Sequence, residues 1–445
     1  SAIALMPVSE NPYNGKTVRC PPSSGSLSPI VSGRKSPQGR APSSSTAIFT
    51  CVSSPKSLVK QTSMLRRIPK TRRPFQRRSS SKFNRSIDDG SGREVQLFRT
   101  LRGYMSGILD GVRIVDISRI LAGPYATQML ADLGAEVIKI EAPWGDDTRK
   151  WGPPFTTGFD GEEVAAYFLS CNRGKQIQTM NLKQQTDELR ELIDSADVVV
   201  ENFKPGTLQR IVGDLPDDVI LCSISAYGQD GPRRDEPGYD IALQARSGIM
   251  SITGDSDGAP AKVGVAWIDV ITGLNASNAI LAALFHKMKT GEARNIDISL
   301  WDCAIAALVN QAHNALASGK DPHRMGSAHP NLVPYRAFQA NDGWFVIGVG
   351  SDQQWENLCE FLNIEQNPSW ATNAGRIANR EVIESMVGKI VAKHNRNELE
   401  ELLKGIPCSP VNTITEALND KQSVARELVT QYNGVEVLAS PLRYY

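Results

Sequence analysis

The stretch from Leu109 to Glu141, LDGVRIVDISRILAGPYATQMLADLGAEVIKIE, limits the folds open to this chain more than any other. Val112–Ile117 is a short run rich in β-branched residues. Tyr125, Met129 and Leu133 then recur at helical spacing, and Gly134 supplies a natural stop. Val137–Ile140 is a second apolar run of strand length. A strand, a helix and a strand of this size make a βαβ unit. The default architecture is then α/β, with a parallel, doubly wound sheet. The turn between the first strand and the helix carries Ala122-Gly123-Pro124 and not GxGxxG, so a dinucleotide cofactor is not indicated. A phosphate-bearing ligand at the carboxyl edge of the sheet fits the helix N-terminus.

Three more strands follow at Ile177–Leu182, Asp197–Val200 and Val219–Ile224, the first two separated by the helical TDELRELIDSA. With 445 residues and 40% hydrophobic content the chain can bury a large core, and two domains are expected. No apolar run approaches the about 20 residues that a membrane span needs. The seven cysteines, at 20, 51, 171, 222, 303, 359 and 408, are scattered, odd in number and without CxxC. They point to a reducing compartment and away from a disulfide framework or a zinc site.

Gly231 to Gly254 reads GPRRDEPGYDIALQARSGIMSITG. Gly231-Pro232 and Pro237-Gly238 mark a loop. After Asp240, the residues Ile241, Ala242, Leu243, Ala245, Ile249 and Met250 suggest a buried helix ending near Gly254. An acid at a helix start lies near partly positive N–H groups, which favour its ionised form. Position alone leaves two readings for Asp240, an ordinary cap or a working carboxylate.

The full GYD…SG string resembles the class III, formyl-CoA transferase-like CoA-transferases and their α-methylacyl-CoA racemase relatives. So does the order of the other motifs: LAGP, Asp146-Asp147-Thr148-Arg149 with Trp151-Gly152-Pro153-Pro154, and Glu201-Asn202-Phe203-Lys204-Pro205-Gly206. The resemblance implies that Asp240 is the nucleophile and that CoA, as a thioester substrate, is held by Ile120, Leu121 and Ala122. It further implies a groove lined by Asn202, Phe203 and Arg210, with Tyr227 and Gly228 facing the pantetheine. No resident cofactor or metal is implied. An aromatic can stack on the adenine, and Arg can grip a phosphate with two parallel hydrogen bonds. The racemase branch pairs its Asp with an earlier His, yet no His precedes His286 here. Two-base proton transfer needs a second group with a suitable pKa, so transfer is favoured over racemisation. CoA binding without turnover is the remaining alternative.

Ile271–Lys289 reads as one long helix ending at Thr290-Gly291. In the family such helices join two domains, and two subunits interlock as a homodimer. The expected organisation is a large CoA-binding domain over 105–270, a linker helix over 271–291 and a smaller α+β domain over 292–378. A second linker helix is expected over 379–402, and a return toward the large domain over 403–445. The loop HRMGSAHP, followed by NLVPY, resembles the acyl-covering loop of the succinyl-CoA:glutarate branch. Arg324 would pair with the free carboxylate of a dicarboxylic acid, Gly326 would belong to the loop, and His329 would hydrogen-bond an acyl oxygen. Asn341-Asp342-Gly343 marks a hairpin turn. The family's C-terminal helix would lie beyond Tyr445.

Net charge is +1, but residues 1–86 hold sixteen Lys and Arg against the single acid Glu10. Residues 20–60 are too poor in apolar residues to offset the entropy of ordering. Residues 64–86 are Arg- and Ser-rich and free of acid, as in a mitochondrial transit peptide, although Pro69 and Pro74 interrupt an amphipathic helix. The composition also fits a basic arm for nucleic acid, or translated sequence upstream of a start at Met64 or Met105. The expectation is a disordered basic leader over 1–104 and a mitochondrial enzyme.

Overall fold

The computed structural model describes residues 107–444, so the expected leader lies outside the described residues. The founding βαβ unit forms as β1 (Arg113–Asp116), α1 (Ala122–Asp132) and β2 (Glu136–Glu141). Gly134, at φ 98°, ends the helical stretch. The chain continues through β3 (Gln176–Thr179), α2 (Thr186–Asp194), β4 (Val198–Glu201), α3 (Thr207–Val212) and β5 (Ile220–Ser225). It then forms α4 (Asp240–Arg246), α5 (Trp267–Thr290) and β6 (Ile296–Ser299). The six strands make one parallel sheet in the order β3-β2-β1-β4-β5-β6. Chain order reverses between β1 and β4, where Ile114 pairs with Val198 and Val115 with Val199.

Alternation along the strands explains the two layers. Ile114, Val137, Val198, Val200, Ile220 and Cys222 face one side, against α1 and α5. Val115, Ile117, Val199 and Leu221 face the other, against Leu189, Ile193 and Leu208 of α2 and α3. Strands buried on both faces lose the apolar-polar rhythm and read as continuous apolar runs, as this sequence does. The smaller α+β part is built on an antiparallel sheet of β7 (Tyr335–Gln339), β8 (Trp344–Gly348) and β9 (Cys408–Pro410), with β8 central. Helices α6 (Asp352–Phe361), α7 (Arg380–Val391) and α8 (Arg396–Leu402) cover it. A final hairpin, β10 (Val429–Tyr432) and β11 (Val435–Leu438), returns to the large part, where Tyr432 packs edge-on to Phe159.

Three expectations change. The boundary at 292 falls inside the large sheet, because β6 pairs with β5 from Cys222↔Ile296 to Ser225↔Ser299. The segment 379–402 is no linker: Ile383, Val387, Val391 and Leu399 are wholly buried in the small core. Residues 408–410 belong to the small sheet before the chain returns. Helix α5 is long and apolar enough, by length and composition alone, to cross a membrane. Its Ile268, Ala276 and Ile280 are buried in the sheet's own core, which accounts for that apolar content.

Candidate active site

In an open α/β sheet, ligands bind beyond the carboxyl ends of the strands where strand order reverses. This chain has a cleft of ≈ 240 Å³ there. Arg119 to Ala122 enter it from the β1–α1 turn, Asn202 to Pro205 from the end of β4, Ser225 and Ala226 from the end of β5, and Pro237 to Tyr239 from the approach to α4. Asp269, in the first turn of α5, completes the lining. A larger cavity of ≈ 700 Å³ lies between α1 and the β10–β11 hairpin, but it holds none of the expected residues.

The turn before α1 is held under tension. Ile120 has φ 71°, a left-handed conformation that costs an ordinary L-residue about 1–2 kcal/mol and is rare for a β-branched one. Neighbouring side chains clamp it. The Asn202 amide accepts from Arg119 N at 3.0 Å and donates to Arg119 O at 2.8 Å, tying the ends of β1 and β4 together. The buried Asp146 carboxylate accepts from Ile120 N at 3.3 and 3.4 Å, from Lys139 Nζ at 3.0 Å, and from Thr148 N and Oγ1 at 3.0 and 2.8 Å. Behind the turn, buried Asp116 accepts from Lys175 Nζ at 3.0 Å and Thr127 Oγ1 at 2.6 Å, and from Ser118. Burial raises the Asp116 pKa, but Lys175, Lys139 and these hydrogen bonds outweigh it and hold it down to about 2. Gly123 is required here, because a Cβ would sit 2.2 Å from Ser118 Oγ.

Two carboxylates meet beside the cleft, and they differ in what they are free to do. Asp240 is the first residue of α4, as expected, and is 7% exposed. Both its oxygens are engaged: Oδ2 accepts from Gln244 Nε2 at 2.6 Å, and Oδ1 from Ile268 N at 2.7 Å and Asp269 N at 3.4 Å. Gln244 is itself fixed, its Oε1 accepting from Val263 N at 2.9 Å. Asp240 therefore caps the start of α5 from a neighbouring helix. The Asp269 side chain makes no hydrogen bond among the described residues and lines the cleft. Burial and then the Asp240 charge push its pKa up to about 7. Tyr167, which feels both carboxylates, has its pKa pushed up to about 12, first by burial and then by Asp269.

Of the expected residues, Ile120, Leu121, Ala122, Asn202 and Phe203 line the cleft. Phe203 is set by Glu201, whose Oε2 accepts from Phe203 N at 2.7 Å. Arg210 does not line it; the guanidinium is exposed and donates to Thr207 Oγ1 at 2.8 Å. Tyr227 turns to Trp301, and Gly228 N donates to Ser225 Oγ at 2.9 Å, so that pair braces the rim. The 323–330 loop docks on the chain that follows α4. Arg324 donates to the carbonyls of Asp255 at 3.1 Å and Gly258 at 2.9 Å, and Gly326 N donates to Gly254 O at 3.0 Å. His329 Nδ1 accepts from Asn331 N at 3.0 Å, and burial followed by Arg380 lowers its pKa. None of these three loop residues lines the cleft. Asp269 is the residue that motif reading missed; the available signal was a lone acid inside the apolar run VGVAWIDVITG.

Comparisons with known proteins agree with this architecture. The model of CoA-transferase family III matches residues 109–444. A succinate–glutarate CoA-transferase of Agrobacterium fabrum is 43% identical over 337 residues, covering 72% of this chain and 84% of that protein. A succinyl-CoA:glutarate CoA-transferase of Mus musculus is 40% identical over 339 residues, covering 73% and 77%. Among solved structures, a CAIB/BAIF family protein from Brucella suis superposes with a TM-score of 0.69 at 43% identity, covering 76% of this chain and 93% of that one. With that extent of match, over a parallel sheet whose reversal point opens beside two carboxylates, the chain belongs to CoA-transferase family III.

Proposed function

We propose that this enzyme moves CoA from succinyl-CoA to glutarate or a similar dicarboxylic acid, with Asp269 as the attacking group. The substrates are suggested by the names of the relatives. The observation that carries the mechanism is the unengaged Asp269 carboxylate in the cleft, beside an Asp240 whose oxygens are both occupied. This reassigns the nucleophile expected at Asp240. An Asp269 oxygen attacks the thioester carbonyl, the C–S bond breaks, and CoA thiolate leaves a mixed anhydride. The thiolate attacks the aspartyl carbonyl, releasing the first acid as its carboxylate and forming an aspartyl-CoA thioester. The acceptor carboxylate repeats the sequence in reverse and restores Asp269. Protons and electrons balance without a further reactant. The anhydride and thioester would hydrolyse in open water, so the cleft must close over them.

Asp240 has a supporting part in this reading. It fixes the first turn of α5, and its charge adds to burial in raising the Asp269 pKa to about 7, which makes the ionised carboxylate a stronger nucleophile. Racemisation would need a second base, and no described histidine lines the cleft. An interlocked homodimer and mitochondrial delivery complete the reading. Exposed Phe285 and Met288 on α5, with Val309 and Leu316 nearby in sequence, are an apolar set suited to a subunit contact. Mass spectrometry of CoA products from succinyl-CoA mixed with a panel of acids tests the assignment. Glutaryl-CoA or a similar dicarboxyl-CoA is expected; exchange confined to monocarboxylates would overturn the substrate class.

A further inference from the structure

We infer that Asp146 is a positioning residue for CoA, acting by holding Ile120 in its left-handed conformation; this rests on reading the cleft as the CoA site. Ile120 lines the cleft only in the context of that turn, and φ 71° is a conformation it would not keep unaided. Its N–H is aimed at Asp146, at 3.3 and 3.4 Å from the two carboxylate oxygens. Asp146 can serve as an anchor because it is itself immobile. It is 1% exposed, it pairs with Lys139 at the core of the sheet, and its own loop folds back on it through Thr148. Its N–H donates to Glu141 Oε2 at 3.1 Å, and Glu141 also receives Arg149 Nε at 2.7 Å. Every group facing the carboxylate is a donor, so an amide nitrogen placed there would oppose at least one of them.

The arrangement links two strands and a loop to one backbone N–H. Lys139 belongs to β2, Ile120 follows β1, and the loop 146–150 follows β2. Asp146 shares no hydrogen bond with Asp240 or Asp269 among the described residues, and it does not line the cleft. Its effect should therefore fall on CoA binding and leave the chemical step largely alone.

A double-mutant cycle reads this directly, because glycine adopts positive φ without strain. CoA affinity is measured by calorimetry on the full chain, its Asp146→Asn and Ile120→Gly variants, and the double variant. Asp146→Asn should weaken CoA binding about tenfold and raise KM for acyl-CoA, with kcat within about threefold of the parent. In the Ile120→Gly background the same change should cost less than about twofold. The cycle subtracts whatever Ile120→Gly loses with its side chain. Thr148→Val, which removes one donor and keeps the carboxylate, is the second variant should Asp146→Asn not fold. It should show a smaller loss that Ile120→Gly again suppresses. Equal losses in both backgrounds, or a fall in kcat at unchanged KM, would overturn the inference. A parent chain that binds no CoA would overturn the reading of the cleft itself.

Discussion

The chemistry rests on how two aspartates divide the work. In the proposed mechanism Asp269 must be ionised to attack, and burial with the nearby Asp240 charge places its pKa at about 7. Turnover at limiting acyl-CoA should therefore rise as pH climbs through about 7 and level off above it. Asp240→Asn removes the like charge, so the inflection should move to lower pH; a rate profile of that variant checks the sign. Asp269→Asn should abolish transfer while CoA binding survives, as calorimetry can show. It should also change stability. The folded-state pKa of Asp269 is raised from 3.8, so its contribution to folding is full below about 4 and is lost as pH rises through about 7. The Asn variant escapes that loss, and its melting temperature should exceed the parent's at pH 8 but not at pH 4. Arg324 is a different case. Its donors meet the carbonyls of Asp255 and Gly258, so Arg324→Ala should loosen the loop and lower activity toward mono- and dicarboxylates alike. A selective rise in KM for dicarboxylates would return it to the substrate.

Between elements, the decisive contact is the approach of α5 to α1. A Cβ on Gly273 would lie 2.7 Å from Ala122 O and 3.1 Å from Tyr125 Cδ1. That closeness places Asp269, one turn earlier on α5, beside the turn that begins α1. Gly273→Ala should cost about 1–3 kcal/mol by overpacking and reduce activity further by moving both groups apart. Thermal melts and kinetics on one preparation separate the two effects. The elements themselves were largely legible: β1, α1 and β2 lie within a residue or two of their apolar runs. Sheet order was not, because a buried strand carries no mark of its neighbours, and the assignment of β6 to the small domain followed from that. The split of 240–254 was also hidden. Helix α4 stops at Arg246, and Gly248 takes φ 91°, although the apolar spacing runs on through Met250.

For the whole molecule, the family match begins at residue 109, so a chain beginning at Met105 should retain full transfer activity. The cleft walls were legible in the motifs, since Ile120 to Ala122 and Asn202-Phe203 sit at strand ends that any doubly wound order brings to one edge. Motif resemblance pointed to Asp240, which carries the recognisable string, whereas the proposed nucleophile Asp269 gains its freedom only from where α5 starts. Which aspartate carries CoA is the central question of the proposed mechanism. Incubation with succinyl-CoA, trapping with hydroxylamine and tryptic digestion decide it. Cleavage after Arg246 and Lys262 separates the two residues, leaving Asp240 in 235–246 and Asp269 in 263–287. A hydroxamate on the 263–287 peptide is the predicted result; a hydroxamate on 235–246 would contradict it.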